Sequence, residues 1–154
     1  MLILKFLHVA SMFVGVSLVL GLGSLAGLIA RTGDVRAIRS SFPIFSRLAR
    51  FIGPIFTLGL VFGLATAWTG GFNLLAPWLL IAYVLFVAAT ALGIAIEGPW
   101  QQKVLAAATA SPDDVPSSEL VLLTHDPRER FAFWATVVIL MAFVFDMVFK
   151  PFGV

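Results

Sequence analysis

His8 and Asp146 are ionisable residues set inside long apolar stretches of the sequence. His8 lies three residues inside Lys5, and Asp146 four residues inside Lys150. On helices these offsets are about 4.5 Å and about 6 Å of rise, so the two groups sit at matching depth if the helix ends are level. An imidazole and a carboxylate meeting there, flanked by Lys5 and Lys150, would form a small polar membrane site. The plainer uses are an i,i+4 pair of Asp146 with Lys150 and an interhelical hydrogen bond from His8. Ser11 and Gly15 share the face of His8 at helical spacing. Gly15 leaves a notch one layer deeper that would suit either close helix packing or a flat macrocycle ligated by the imidazole. His8, Ser11 and Gly15 are therefore the candidate site for haem b, with His8 the candidate metal ligand. His125 is expected at the opposite membrane face, roughly 30 Å away, so the two histidines are not axial ligands of one haem.

The elements that must position these groups are set by composition. The chain has 154 residues, 60% hydrophobic and 12% charged, against about 25% charged in an ordinary soluble domain. So much apolar surface cannot hide inside a small globule and is expected to face a lipid bilayer. A net charge of +2 is too small to suggest nucleic acid. The absence of cysteine excludes disulfides, thiolate metal sites and iron–sulfur clusters. No P-loop, H-E-x-x-H, G-x-S-x-G or dinucleotide fingerprint occurs.

Four apolar runs are each long enough to cross a bilayer. The expectation is an all-α, single transmembrane domain over residues 1–154: a four-helix bundle with helices at about 2–30, 51–68, 78–96 and 127–149, and loops at 31–50 and 97–126. The first run is too long for a signal-peptide core and is followed by no A-x-A-like site, so it is expected to remain as a helix. Gly33 is a C-terminal stop, Pro77 suits a first helical turn, and Gly98-Pro99 is expected to close the third helix. Asp126-Pro127-Arg128-Glu129 reads as an N-cap, a first-turn proline and a capping-box acid. In the long third loop, 104–110 is helix-prone, and Asp113, Asp114 and Glu119 read as a solvated surface.

Basic residues set the orientation. Arg31, Arg36, Arg39, Arg47 and Arg50 fall in the first loop, and Lys103, Arg128 and Arg130 in the third. The positive-inside rule places both loops in the cytoplasm and both termini outside a bacterial inner (plasma) membrane. Trp68 and Trp78 flank the outer hairpin, where indoles favour the interface. Apolar residues interleave with Arg36, Arg39, Arg47 and Arg50, a pattern that suits anionic lipid headgroups, or topology alone. Gly23-x-x-x-Gly27 and Gly59-x-x-x-Gly63 are helix-packing motifs, either within the chain or towards a membrane-protein partner or second copy.

The opening Leu4-Lys5-Phe6-Leu7-His8-Val9, with Gly15 after it and Arg31-Thr32-Gly33-Asp34 in the first loop, resembles a bacterial "predicted integral membrane protein" group with a K-x-L-H opening. That group is similar to CopD-type copper-resistance membrane domains and HemJ-type protoporphyrinogen oxidases. The resemblance to the HemJ type implies that the helix-one histidine, here His8, is associated with haem. Those enzymes also use a helix-three lysine, and the third run here has none. The expectation is thus a haem- or redox-associated membrane subunit using His8 that is not an enzyme by itself. The alternatives are a small transporter or channel with a His8/Asp146 site, and a structural or assembly subunit of a membrane complex.

Overall fold

A computed structural model describes residues 1–112 and 115–151; Asp113 and Asp114 lie outside it. The described residues form seven α-helices and one π turn, with no strand. α1 runs Leu2–Thr32, α2 Val35–Ala49, α3 Ile52–Thr69 and α4 Pro77–Leu92. The π turn Gly93–Glu97 leads directly into α5, Gly98–Ala110; α6 is Ser118–Thr124 and α7 Pro127–Phe149. Four helical stretches have the length and apolar composition to cross a membrane, and the fold is a four-helix membrane bundle.

Local chemistry explains most boundaries. Gly33 adopts φ 67°, the left-handed conformation that ends α1, and its N–H bonds Ala30 O. Asp34 then caps α2, its carboxylate accepting from the amides of Arg36 and Ala37. Asp126 caps α7 by accepting from Arg128 N, with Pro127 in the first turn. The capping box expected there is not formed: Asp126 N–H goes to Leu123 O, and Glu129 turns inward toward α1.

Three expected boundaries are corrected. The first loop is mostly helix. α2 places Val35, Ile38, Phe42 and Phe45 on one buried stripe at spacings of three and four. That stripe packs on α5 and Trp100, with Phe42 and Trp100 centroids 6.3 Å apart. α2 thus buries this stripe in the protein core, while Ile44 and Leu48 stay exposed outside it. Much of the third loop is likewise helical, as α5 and α6. Finally, Gly98-Pro99 does not close the third helix. Pro99 has no N–H and its ring crowds the carbonyl four residues back. The π turn widens the helix by one residue there, with Gly98 N–H reaching Gly93 O, so α4 and α5 run on as one rod.

The spans pack as two antiparallel pairs, α1 with α3 and α4 with α7. Along α1 and α3 a large side chain on one helix repeatedly meets a glycine on the other. Phe56 lies against Gly15, Met12 against Gly59 and His8 against Gly63, their nearest atoms 3.1, 3.0 and 2.7 Å from the Cβ each glycine lacks. Between the pairs, α1 meets α7 near the arginine-bearing end, where Phe133 sits 3.1 Å from the missing Cβ of Gly23. The four motif glycines thus all face other helices of the same chain or, at Gly27, the Arg31 and Glu129 side chains.

Buried apolar side chains gather at the two ends of the bundle. One cluster joins α1, α2, α5 and α6 at the arginine-bearing end; the other, around Ala67, Trp78 and Leu79, closes the end that carries Lys150. The two tryptophans of the hairpin part company: Trp68 is 76% exposed and Trp78 6%.

Candidate functional site

Between the two helix pairs lies a cavity of ≈ 760 Å³. Its walls come from α1, α3, α4, the π turn, α5 and α7, with Ala49 of α2, and they are overwhelmingly apolar, with no lysine or arginine among the described lining residues. Polar groups are concentrated at opposite ends: His8 at one, and Glu97, Gln101 and Thr136 at the other. Gly23 stands against Phe133, which puts Thr136 level with about residue 20 of α1 and the two polar ends roughly 18 Å apart.

His8 Nδ1 lies 2.7 Å from Gly59 O. A carbonyl oxygen only accepts, so Nδ1 carries the proton, and in the neutral ring Nε2 keeps its lone pair. The imidazole rests on Gly63, where a Cβ would sit 2.7 Å from Cε1. Gly59 and Gly63 therefore fix both the tautomer and the position of the ring. Gly15 leaves no open notch, because Phe56 fills it. Ser11 is half-buried and is not among the lining residues.

The structure does not join His8 to Asp146. Asp146 is 2% exposed, lies off the cavity wall, and both carboxylate oxygens lack a hydrogen-bond partner. Nor does its carboxylate pair with Lys150. The Lys150 ammonium lies 4.5 Å from the Phe72 ring centroid and 5.3 Å from that of Trp78, a cation–π arrangement. Only the main chain links the two residues, Lys150 N–H to Asp146 O. Lys5 is exposed.

The four arginines expected at lipid headgroups, Arg36, Arg39, Arg47 and Arg50, also differ in use. Arg39 donates to Ala108 O at 2.9 Å, to Thr109 O at 3.2 Å and to Ser111 O, closing the C-terminal end of α5. It is a protein contact, because the guanidinium fork suits the carbonyls that a helix end leaves unpaired. Arg36, Arg47 and Arg50 are exposed.

Glu97, Thr136 and Gln101 are absent from the sequence-based candidates. Thr136 Oγ1 donates to Glu97 Oε1 at 3.0 Å; Glu97 and Gln101 both line the cavity, and Glu97 Oε2 and the Gln101 amide have no hydrogen-bond partner among the described residues. Reading the third run as ending at Ile96 moved Glu97 into a loop. The available signal was the spacing Thr90, Gly93, Glu97, Gln101, a small and polar stripe on one helical face. No group of three or more His, Asp or Glu side chains gathers into a metal-ion cage among the described residues. A metal carried inside a macrocycle needs fewer protein ligands, and a single imidazole suffices to hold it.

No curated protein and no solved structure matches the chain. Residues 2–151 match the family described as "Predicted integral membrane protein (DUF2269)", and the chain belongs to that family of integral membrane proteins.

Proposed function

We propose that this protein is a haem b-binding, redox-associated subunit of the bacterial inner membrane, with His8 as the iron ligand. The observation that carries this reading is the His8 tautomer. Nδ1–H is committed to Gly59 O at 2.7 Å, which leaves Nε2 with its lone pair on a residue that lines a ≈ 760 Å³ apolar cavity. Metal-ligating histidines are characteristically oriented by such a bond from the other ring nitrogen. The volume falls within the range of about 300–1,000 Å³ typical of small-molecule and cofactor sites. The likeness of the opening to HemJ-type proteins agrees with a haem at this histidine. Bound haem would supply one-electron chemistry. The chain's own part is to hold the imidazole and exclude water. The transporter reading built on His8 with Asp146 lacks this support, since the two side chains do not meet.

Protein purified from cells supplied with haem should show a Soret band, and His8→Ala should abolish or shift it. A colourless wild-type protein under the same conditions would overturn the assignment.

A further inference from the structure

The polar end opposite His8 has no part in holding haem. We infer that Glu97 and Gln101 bind the head of a lipid-soluble quinone or quinol whose apolar tail leaves the cavity between α3 and α4.

Access comes first. The backbones of α3 and α4 stay apart, joined by a short hairpin and by the edge-on contact of Phe56 with Phe86, ring centroids 6.1 Å apart. Gly53 and Thr57 on α3, with Thr90 on α4 and Ile94 in the π turn, line the cavity and are themselves exposed. This opening lies along the spans, so a ligand reaches the cavity from hydrocarbon. A shallow apolar groove of ≈ 410 Å³, lined by Phe86, Thr90 and Ile94 among others, continues the opening along the lipid side of α4. An apolar tail has a path there.

The head is constrained by chemistry. No lysine or arginine lines the Glu97 end of the cavity, so a phosphate-bearing head held there finds no counter-charge. A fatty-acid carboxylate would likewise find no cation to balance it there. What the site offers is one carboxylate oxygen, Oε2, and, one helical turn on, an amide that both donates and accepts. A quinol hydroxyl can donate to Glu97, and a quinone carbonyl can accept from Gln101. Phe56, Phe86 and Phe143 line the walls and suit a flat ring. A simple isoprenol has one oxygen and no ring, and would use only part of this set. The inference does not rest on haem: a colourless protein that takes the quinone would still support it.

The test is photolabelling of the full-length protein in detergent with an azido-benzoquinone bearing a decyl tail, the label mapped by mass spectrometry. The expected result is labelling near residues 93–101 and 136–143, displaced by the unmodified quinone but not by a fifteen-carbon isoprenol. Glu97→Gln and Gln101→Leu should each weaken binding about tenfold or more, the loss of one hydrogen bond to a polar or charged group. Gly53→Phe should block entry. A Cβ there meets nothing within 4 Å, so unchanged thermal unfolding will show that this variant folds. Labelling spread over the lipid-facing surface and unchanged in the variants would overturn the inference. So would equal displacement by the isoprenol, which would point to a hydroxyl-headed lipid instead.

Discussion

At Gly63 the missing side chain determines what its neighbour can do. The His8 ring occupies the space a Cβ would take, 2.7 Å from Cε1. Gly63→Ala must therefore push the imidazole off Gly59 O or move α3 away from α1. Overpacking of this kind costs about 1–3 kcal/mol. Gly63→Leu should cost more, and Leu60→Ala less, in thermal unfolding measured in detergent. If all three unfold at the same temperature as wild type, α1 and α3 do not pack through these glycines. Asp146 leads to the opposite expectation. Its two buried carboxylate oxygens have no partner, and burying an unpaired polar group costs about 1–3 kcal/mol. Asp146→Leu should raise the unfolding temperature. A clear fall would mean that the carboxylate has a partner in the membrane, such as a second chain.

At the scale of the element, α2 and α5 show how an arginine-rich loop becomes a structural layer. The Arg39 guanidinium closes the end of α5 while Ile38 and Phe42 bury beside it. Arg39→Ala should destabilise the protein by about 1.5–3 kcal/mol, as expected for hydrogen bonds from a charged donor. Arg39→Lys should recover little, because an ammonium cannot span three carbonyls with a planar fork. Arg47→Ala, at an exposed position, is the comparison and should be close to neutral by the same unfolding assay. Apolar run length locates the four spans, since lipid imposes it directly. The continuation through Gly98-Pro99 is not legible in the same way. Gly-Pro ordinarily marks a helix end, and only the tertiary packing that holds both α4 and α5 makes a widened turn the better solution. That one misreading removed Glu97, and with it the polar end of the cavity, from the candidates.

For the whole molecule, the bundle follows from composition, but the pairing of its helices does not. His8 and Asp146 do lie toward the same end, as their offsets from Lys5 and Lys150 indicate. Depth alone leaves rotation about each helix axis undetermined, and rotation turns His8 to α3 and Asp146 off the cavity wall. The glycine spacings mark close approach without naming a partner; the structure supplies α1 for Gly59 and Gly63, and α7 for Gly23. Orientation across the membrane is a property of the whole charge distribution. The arginine-bearing layer should face the cytoplasm, so a reporter fused after Val154 should be active only in the periplasm. Replacing Arg36, Arg39, Arg47 and Arg50 together should give mixed orientation; uniform insertion of that variant would assign the charge to another purpose, such as lipid binding.

The buried clusters tie the bundle at its two ends and leave its waist hollow. A body built in this way is stiff in length and soft in girth. Its width at mid-bilayer is set by what fills the cavity and by the sideways squeeze of the surrounding lipid. Lipids that raise lateral pressure at the bilayer centre would thus compete with the cavity's occupant, although they touch neither His8 nor Glu97.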